Sequence, residues 1–174
     1  MSIESDLRTH LASDPAKAHG IMALLTQTTT IRSRAKFRAY LAADMSNLSI
    51  NSYTKVTFDT VAYNIGSNFS TAQNRFIAPE AGFYLFTTAL HLAGVGAGHA
   101  HHLALYKNGS IVSSIYTATN AEADAISTHF TDILRLAAAD YVEVYAKSVG
   151  NSTTDILSGA TASFFTGHIL SKDG

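Results

Sequence analysis

Three histidines, His99, His101 and His102, fall within four residues, and His91 lies about one strand-length upstream. Imidazole is a common metal ligand, so this cluster is the first candidate for chemistry. On a strand running from His99 to Leu105, successive side chains point to opposite faces. His99 and His101 then share one face and His102 takes the other. One chain offers two ligands where a zinc site takes three or four. In a three-fold assembly, one inward histidine per chain would place three around the axis. Surface or interface histidines are the simpler reading, with pH sensing or ligand contact as a further one. No metal is expected.

Other constellations are weaker. Glu122, Asp124 and Asp155 could offer hard oxygens to calcium, but calcium takes six to eight and no dense Asp/Asn/Gly loop is present. There is no Gly-x-Ser-x-Gly elbow for a nucleophile. Gly94, Gly96 and Gly98 precede histidines and strand formers, not the helix a phosphate cradle needs. With no assembled acid, base or nucleophile, neither an enzyme nor a cofactor is expected. Arg32, Arg34, Lys36 and Arg38 recur at every second residue and would share one face of an extended segment. Nucleic-acid binding needs a larger basic stripe and a recognisable reader, so the stretch reads as a solvated or acid-contacting edge.

The elements that must hold these residues are strands. Val56 and Phe58 alternate with Thr57 and Asp59, which predicts a strand with one buried face. From Ala35 onward only strands and loops are expected, beginning with a strand over Phe37–Leu41. Turn signals recur every 10 to 20 residues, at Asn64–Gly66, Ala81-Gly82, Gly94–Gly98, Asn108-Gly109, Asn120–Asp124, Ala138–Asp140 and Gly150-Asn151. Such spacing predicts an all-β sandwich. Asn108-Gly109 is the strongest signal, because a two-residue type I′ hairpin needs positive φ twice. The apolar run Tyr141, Val142, Val144, Tyr145 and Ala146 reads as a strand buried on both faces, one against the core and one against a neighbouring subunit.

Aromatic residues divide between packing and recognition. Phe58, Tyr84, Phe86, Tyr145 and Phe165 are assigned to the core or to a seam between subunits. Tyr63, Tyr106, Tyr116 and Tyr145 could instead line a recognition surface, where tyrosine is enriched, and of these Tyr106 and Tyr116 join His99, His101 and His102 as candidates for ligand contact.

Residues 1–34 differ from the remainder and predict a helical and extended arm before a head over 35–174. Ser2 can cap a helix with Ile3, Leu7 and Leu11 in one stripe. Asp14-Pro15 begins a second, with Ala18, Ile21, Met22 and Leu25 as its stripe. Such short stripes bury little alone and need a partner surface. Leu7, Leu11, Ile21 and Leu25 are the anchor candidates.

The run from Lys55 to Phe86 carries a family resemblance through Phe58, Asn64, Phe69, Phe76, Pro79, Gly82, Tyr84 and Phe86. Lys107-Asn108-Gly109, then Leu134-Arg135-Leu136 with Asp140-Tyr141-Val142, then Ser163–Leu170 follow in family order. Together they resemble the globular head of complement first component, subcomponent q, a relative of tumour necrosis factor. Ala139 departs from the pattern, standing where the family usually has glycine. The resemblance implies an antiparallel jelly-roll sandwich of about ten strands, and a homotrimer.

Composition agrees with an oligomer. Only 14% of the 174 residues are charged, fewer than a lone soluble chain usually carries. There is no cysteine, hence no disulfide. No apolar run approaches the roughly 20 residues that span a bilayer. The acidic N-terminus does not read as a secretory signal. The opening MSIESDLRTHLASDPA resembles the start of small bacteriophage neck or tail-completion proteins. The expectation is a non-enzymatic phage virion component: a capsid spike, fibre head or decoration. Its arm would meet other virion or capsid proteins, and its head a host-surface glycan or protein. The alternative is a bacterial cell-surface or spore-coat binding module.

Overall fold

The computed structural model describes residues 14, 16, 17, 19–21, 35–119, 123–150 and 154–173, with backbone alone at 123 and 124. The chain divides into two units, Met1–Arg34 and Ala35–Gly174. In the first, residues 16, 17 and 19–21 are helical and Ile21 is half-buried. Asp14 caps this turn. Its Oδ1 accepts from the backbone N–H groups of Ala16 and Lys17, each at 3.2 Å. These donors have no partner within the helix itself. Leu7, Leu11 and Leu25, with Arg32, Arg34 and Glu122, lie outside the described residues.

The second unit is built from strands. They are β1 (Lys36–Tyr40), β2 (Met45–Leu48), β3 (Thr54–Lys55), β4 (Thr60–Ile65), β5 (Phe69–Ser70), β6 (Arg75–Ile77) and β7 (Gly82–Val95). There follow β8 (Ala100–Lys107), β9 (Ser110–Ala118), β10 (Ala123–Leu136), β11 (Tyr141–Val149), β12 (Thr154–Ile156) and β13 (Phe164–Lys172). About ten were expected; the surplus comes from pieces such as β3 and β5, only two residues long.

Two sheets form an antiparallel jelly-roll sandwich. One runs β2-β12-β7-β13-β1-β4, with β10 on the other edge of β7. The other runs β5-β6-β11-β8-β9, with β3 also on β11. First and last strands lie side by side, Phe37 opposite Gly167. Every named pairing is antiparallel, which fits one solvated and one buried face per sheet.

Alternation fills the space between the sheets. On β7, Tyr84, Phe86, Thr88, Leu90 and Leu92 point inward and are almost completely buried. Val56 and Phe58 are buried while Thr57 and Asp59 are exposed, as their spacing predicts. That segment is not a regular strand; Val56 N–H donates to Val144 O at 2.9 Å. Phe37 stacks on Phe69 at 4.9 Å and on Phe76 at 5.2 Å, and meets Phe165 edge-on at 4.9 Å. Offset and edge-on packing suits the quadrupole of the rings.

Two turns decide the geometry near the candidate site. Asn108 and Gly109 have φ of 51° and 81°, as a type I′ hairpin between β8 and β9 requires. Asn108 Nδ2 donates to Asp140 Oδ1 at 2.7 Å, and Tyr141 N–H donates to Asn108 Oδ1 at 3.0 Å. The hairpin is thereby tied to the turn before β11. In that turn Ala139 adopts φ 68°, so the conformation that glycine would favour is kept without glycine.

Candidate functional site: an aromatic face on the six-stranded sheet

The strand alternation separates the histidines. His101 points inward and is 1% exposed, with neither ring nitrogen hydrogen-bonded. Burial lowers its pKa first, and the neighbouring His99 and His102 lower it further. His99 precedes β8 rather than beginning it, and is also buried. Its ring lies against Gly96 and Gly150: a Cβ on Gly150 would come within 2.5 Å of His99 Cδ2. His101, covered by its own chain, cannot line a three-fold axis. Among the described residues no group of three or more His, Cys, Asp or Glu could hold a metal ion. Asp155 Oδ1 is engaged by the Asn47 N–H at 2.8 Å.

His102 takes the opposite, outward face, and there it joins a cluster. Its register partners are Lys147 on β11 and Tyr116 on β9. Its ring meets Tyr116 edge-on at 5.0 Å and Tyr53 edge-on at 6.0 Å. Tyr53 meets Tyr106 at 5.7 Å, and Tyr106 packs on Tyr145 at 4.0 Å. Lys147 Nζ lies 4.8 Å from the Tyr53 ring centroid, close enough for a cation–π contact. Tyr116 is 58% exposed, while Tyr53, His102, Tyr106, Tyr145 and Lys147 are half-buried.

The acidic and phenolic groups of this face are paired or uncharged. Glu143 is buried, and Lys55 Nζ satisfies it at 2.6 Å while also donating to Gln73 O at 2.6 Å. Burial raises the pKa of Tyr53, Tyr106 and Tyr145, so their hydroxyls stay protonated at neutral pH; Glu143 adds to the effect on Tyr145. His102 is lowered, first by burial and then by Lys147, and is an uncharged imidazole there.

Of the five residues named for ligand contact, His102, Tyr106 and Tyr116 meet on this face, whereas His99 and His101 are buried away from it. Phe58, Tyr84, Phe86 and Phe165 are at most 1% exposed, so they pack the core and cannot meet a second copy. Tyr145 belongs to the aromatic face. The double-sided covering of β11 has an internal cause: Val142, Val144 and Ala146 face the core, and Glu143 is held under Lys55. Sequence reasoning missed Tyr53 and Lys147. Lys147 was findable as the next outward residue after Tyr145; Tyr53, immediately before β3, has no such signal. Arg38 is not an acid-contacting edge: it lies 3.8 Å over the Phe164 ring and donates to Ala160 O at 2.7 Å.

The outward face of the other sheet mixes apolar with polar residues, and β10 sets Ser127, His129, Thr131 and Arg135 outward beside β7. Outward residues of β7 are Phe83, Leu85, Thr87, Ala89, His91 and Ala93, none with a fixed charge. Beside them Ile133 on β10 is 51% exposed and Phe83 is 41% exposed. Across β1, Tyr63 and Ile65 on β4 stand outward at 44% and 41%.

The two-sheet antiparallel jelly roll is of the tumour necrosis factor-like fold. The family model of the C1q domain matches residues 37–170, and the chain belongs to that family. Domains of this family are non-enzymatic and typically trimeric binding modules. Among solved structures, the globular domain of zebrafish complement 1qA protein is similar at 17% identity and TM-score 0.61, covering 80% of this chain and 99% of that one. Murine APRIL at pH 5.0 is similar at 11% identity and TM-score 0.60, over 79% of this chain and 99% of its own. Eiger TNF from S. frugiperda is similar at 12% identity and TM-score 0.53, over 78% and 96%. No curated protein matches the sequence. No helix among the described residues is long and apolar enough to cross a membrane.

Proposed function

We propose that the protein is a homotrimeric, non-enzymatic binding module. Copies meet through the outer face of the seven-stranded sheet, and ligand meets the aromatic face of the other. The observation that carries this is the uncharged outward row of β7 together with exposed Phe83, Ile133, Tyr63 and Ile65. A contiguous exposed apolar surface marks a contact surface. Native mass spectrometry tests it: three chains of 18.5 kDa are expected, and a monomer overturns it. Ile133→Asp, at an exposed position, should return the trimer to monomer without unfolding the head.

In this reading the trimer serves a phage virion as a spike, fibre head or decoration. Residues 1–34 anchor it to other virion or capsid proteins and the head faces a host surface. The likeness of the opening segment to the start of small phage neck or tail-completion proteins supports this. Mass spectrometry of purified particles should find the chain; its absence from them, with recovery in a cell-surface fraction, would overturn the assignment.

A further inference from the structure

We infer that the aromatic face binds acidic carbohydrate, with pyranose rings stacked on Tyr53, Tyr106 and Tyr116 and a sugar carboxylate at Lys147. This rests on the binding-module reading and names the ligand class for the same face.

The floor of the face is covered at its centre. Ala104 points outward between Ser114 and Tyr145 in register, yet has no exposed surface. Its methyl group cannot hide itself, so the larger side chains around it close over it. A sugar needs no pocket. Its C–H groups lie against the negative face of an aromatic ring, while its hydroxyls need neighbouring donors and acceptors.

The rings supply both. Tyr53 stands at 79° to His102 and at 71° to Tyr106, and His102 at 70° to Tyr116. Perpendicular neighbours brace one another, so the platform is set before ligand arrives. Protonated phenol hydroxyls can donate and accept, and Ser114 adds an exposed hydroxyl beside Tyr116.

Charge selects the acid. Lys55 neutralises Glu143, whereas Lys147 makes no ion pair among the described residues and rests over Tyr53. Lys147 therefore sets an uncompensated positive charge at the border of the aromatic platform.

The test is calorimetry on the full chain with sialyllactose and an oligogalacturonate, against lactose and the carboxyl-reduced oligomer. Binding of the acidic sugars about tenfold or more tighter than their neutral counterparts is expected. Lys147→Gln should remove that preference. Tyr116→Ala, at an exposed position, should weaken acidic and neutral sugars alike by about tenfold while melting temperature and native mass stay unchanged. Equal affinity for acidic and neutral sugars, no sugar binding, or wild-type affinity in Tyr116→Ala would each overturn the inference. A trimer without sugar binding overturns this ligand class and leaves the module reading standing. A monomer that still binds acid sugar through Tyr116 and Lys147 does the reverse.

Discussion

Gly167 on β13 lies flat against the ring of Phe86 on β7: a Cβ at Gly167 would come within 2.5 Å of Phe86 Cδ1 and 3.0 Å of Leu85 O. The two residues face each other in register, at the pairing that closes the last strand onto the centre of the sheet. The Phe-x-Gly pattern of the closing strand is thus a packing requirement between distant segments. Gly167→Ala should destabilise the head by about 1–3 kcal/mol, the usual range for overpacking a filled core. Thermal unfolding checks it, and an unchanged midpoint would mean the ring can retreat.

Ala139 tells the opposite story. It holds φ 68° with a Cβ, at a cost of about 1–2 kcal/mol for an L residue. Its N–H donates to Ala78 O at 2.8 Å, and Asp140 N–H donates to Ala137 O at 3.2 Å, so the turn is held from both sides. Ala139→Gly should raise stability by about 0.5–1 kcal/mol after the greater unfolded-state freedom of glycine is subtracted. Chemical denaturation of the two chains measures this directly.

Asp140 makes the head acid-sensitive in a defined window. Asn108 and Lys107 hold its carboxylate, with the Ala137 N–H as a third donor, and its pKa falls from 3.8 to about 2. A carboxylate whose folded pKa is depressed stabilises fully above its unfolded pKa. The contribution fades as pH drops from 3.8 to about 2. Asp140→Asn should lower stability at pH 6 and flatten its decline across that window. A parallel decline in both proteins would place the acid response elsewhere.

His101 adds a second pH response, nearer neutrality. Its pKa in the fold lies below the ordinary 6.5 because the imidazole is buried. The unfolded chain then binds the proton more readily, so stability is full above 6.5 and declines as pH falls from there towards the folded value. With neither ring nitrogen partnered, His101→Leu removes a buried polar group of similar volume. It should stabilise the head by about 1 kcal/mol at neutral pH and by more at pH 5. Denaturation midpoints at pH 7 and 5 decide; a destabilised variant would reveal a partner for the ring.

What the sequence determined is what neighbours along the chain can enforce. Alternation put Val56 and Phe58 inside and sent His101 and His102 to opposite faces, because successive side chains of an extended backbone diverge. Asn108-Gly109 announced its hairpin, because few other pairs accept positive φ twice. Asp14 announced a helix start, because a short carboxylate reaches the N–H groups just ahead of it. Only the tertiary structure decided which aromatics are floor and which are face. Tyr84, Phe86 and Phe165 looked as fit for a seam as Tyr145, and no local rule separates them. Their roles follow from register between segments far apart in the chain: β8 against β11 sets His102 beside Lys147, and β9 sets Tyr116 beside both. That register is set by the filling of the whole core, since a slip of one residue would turn every buried side chain outward.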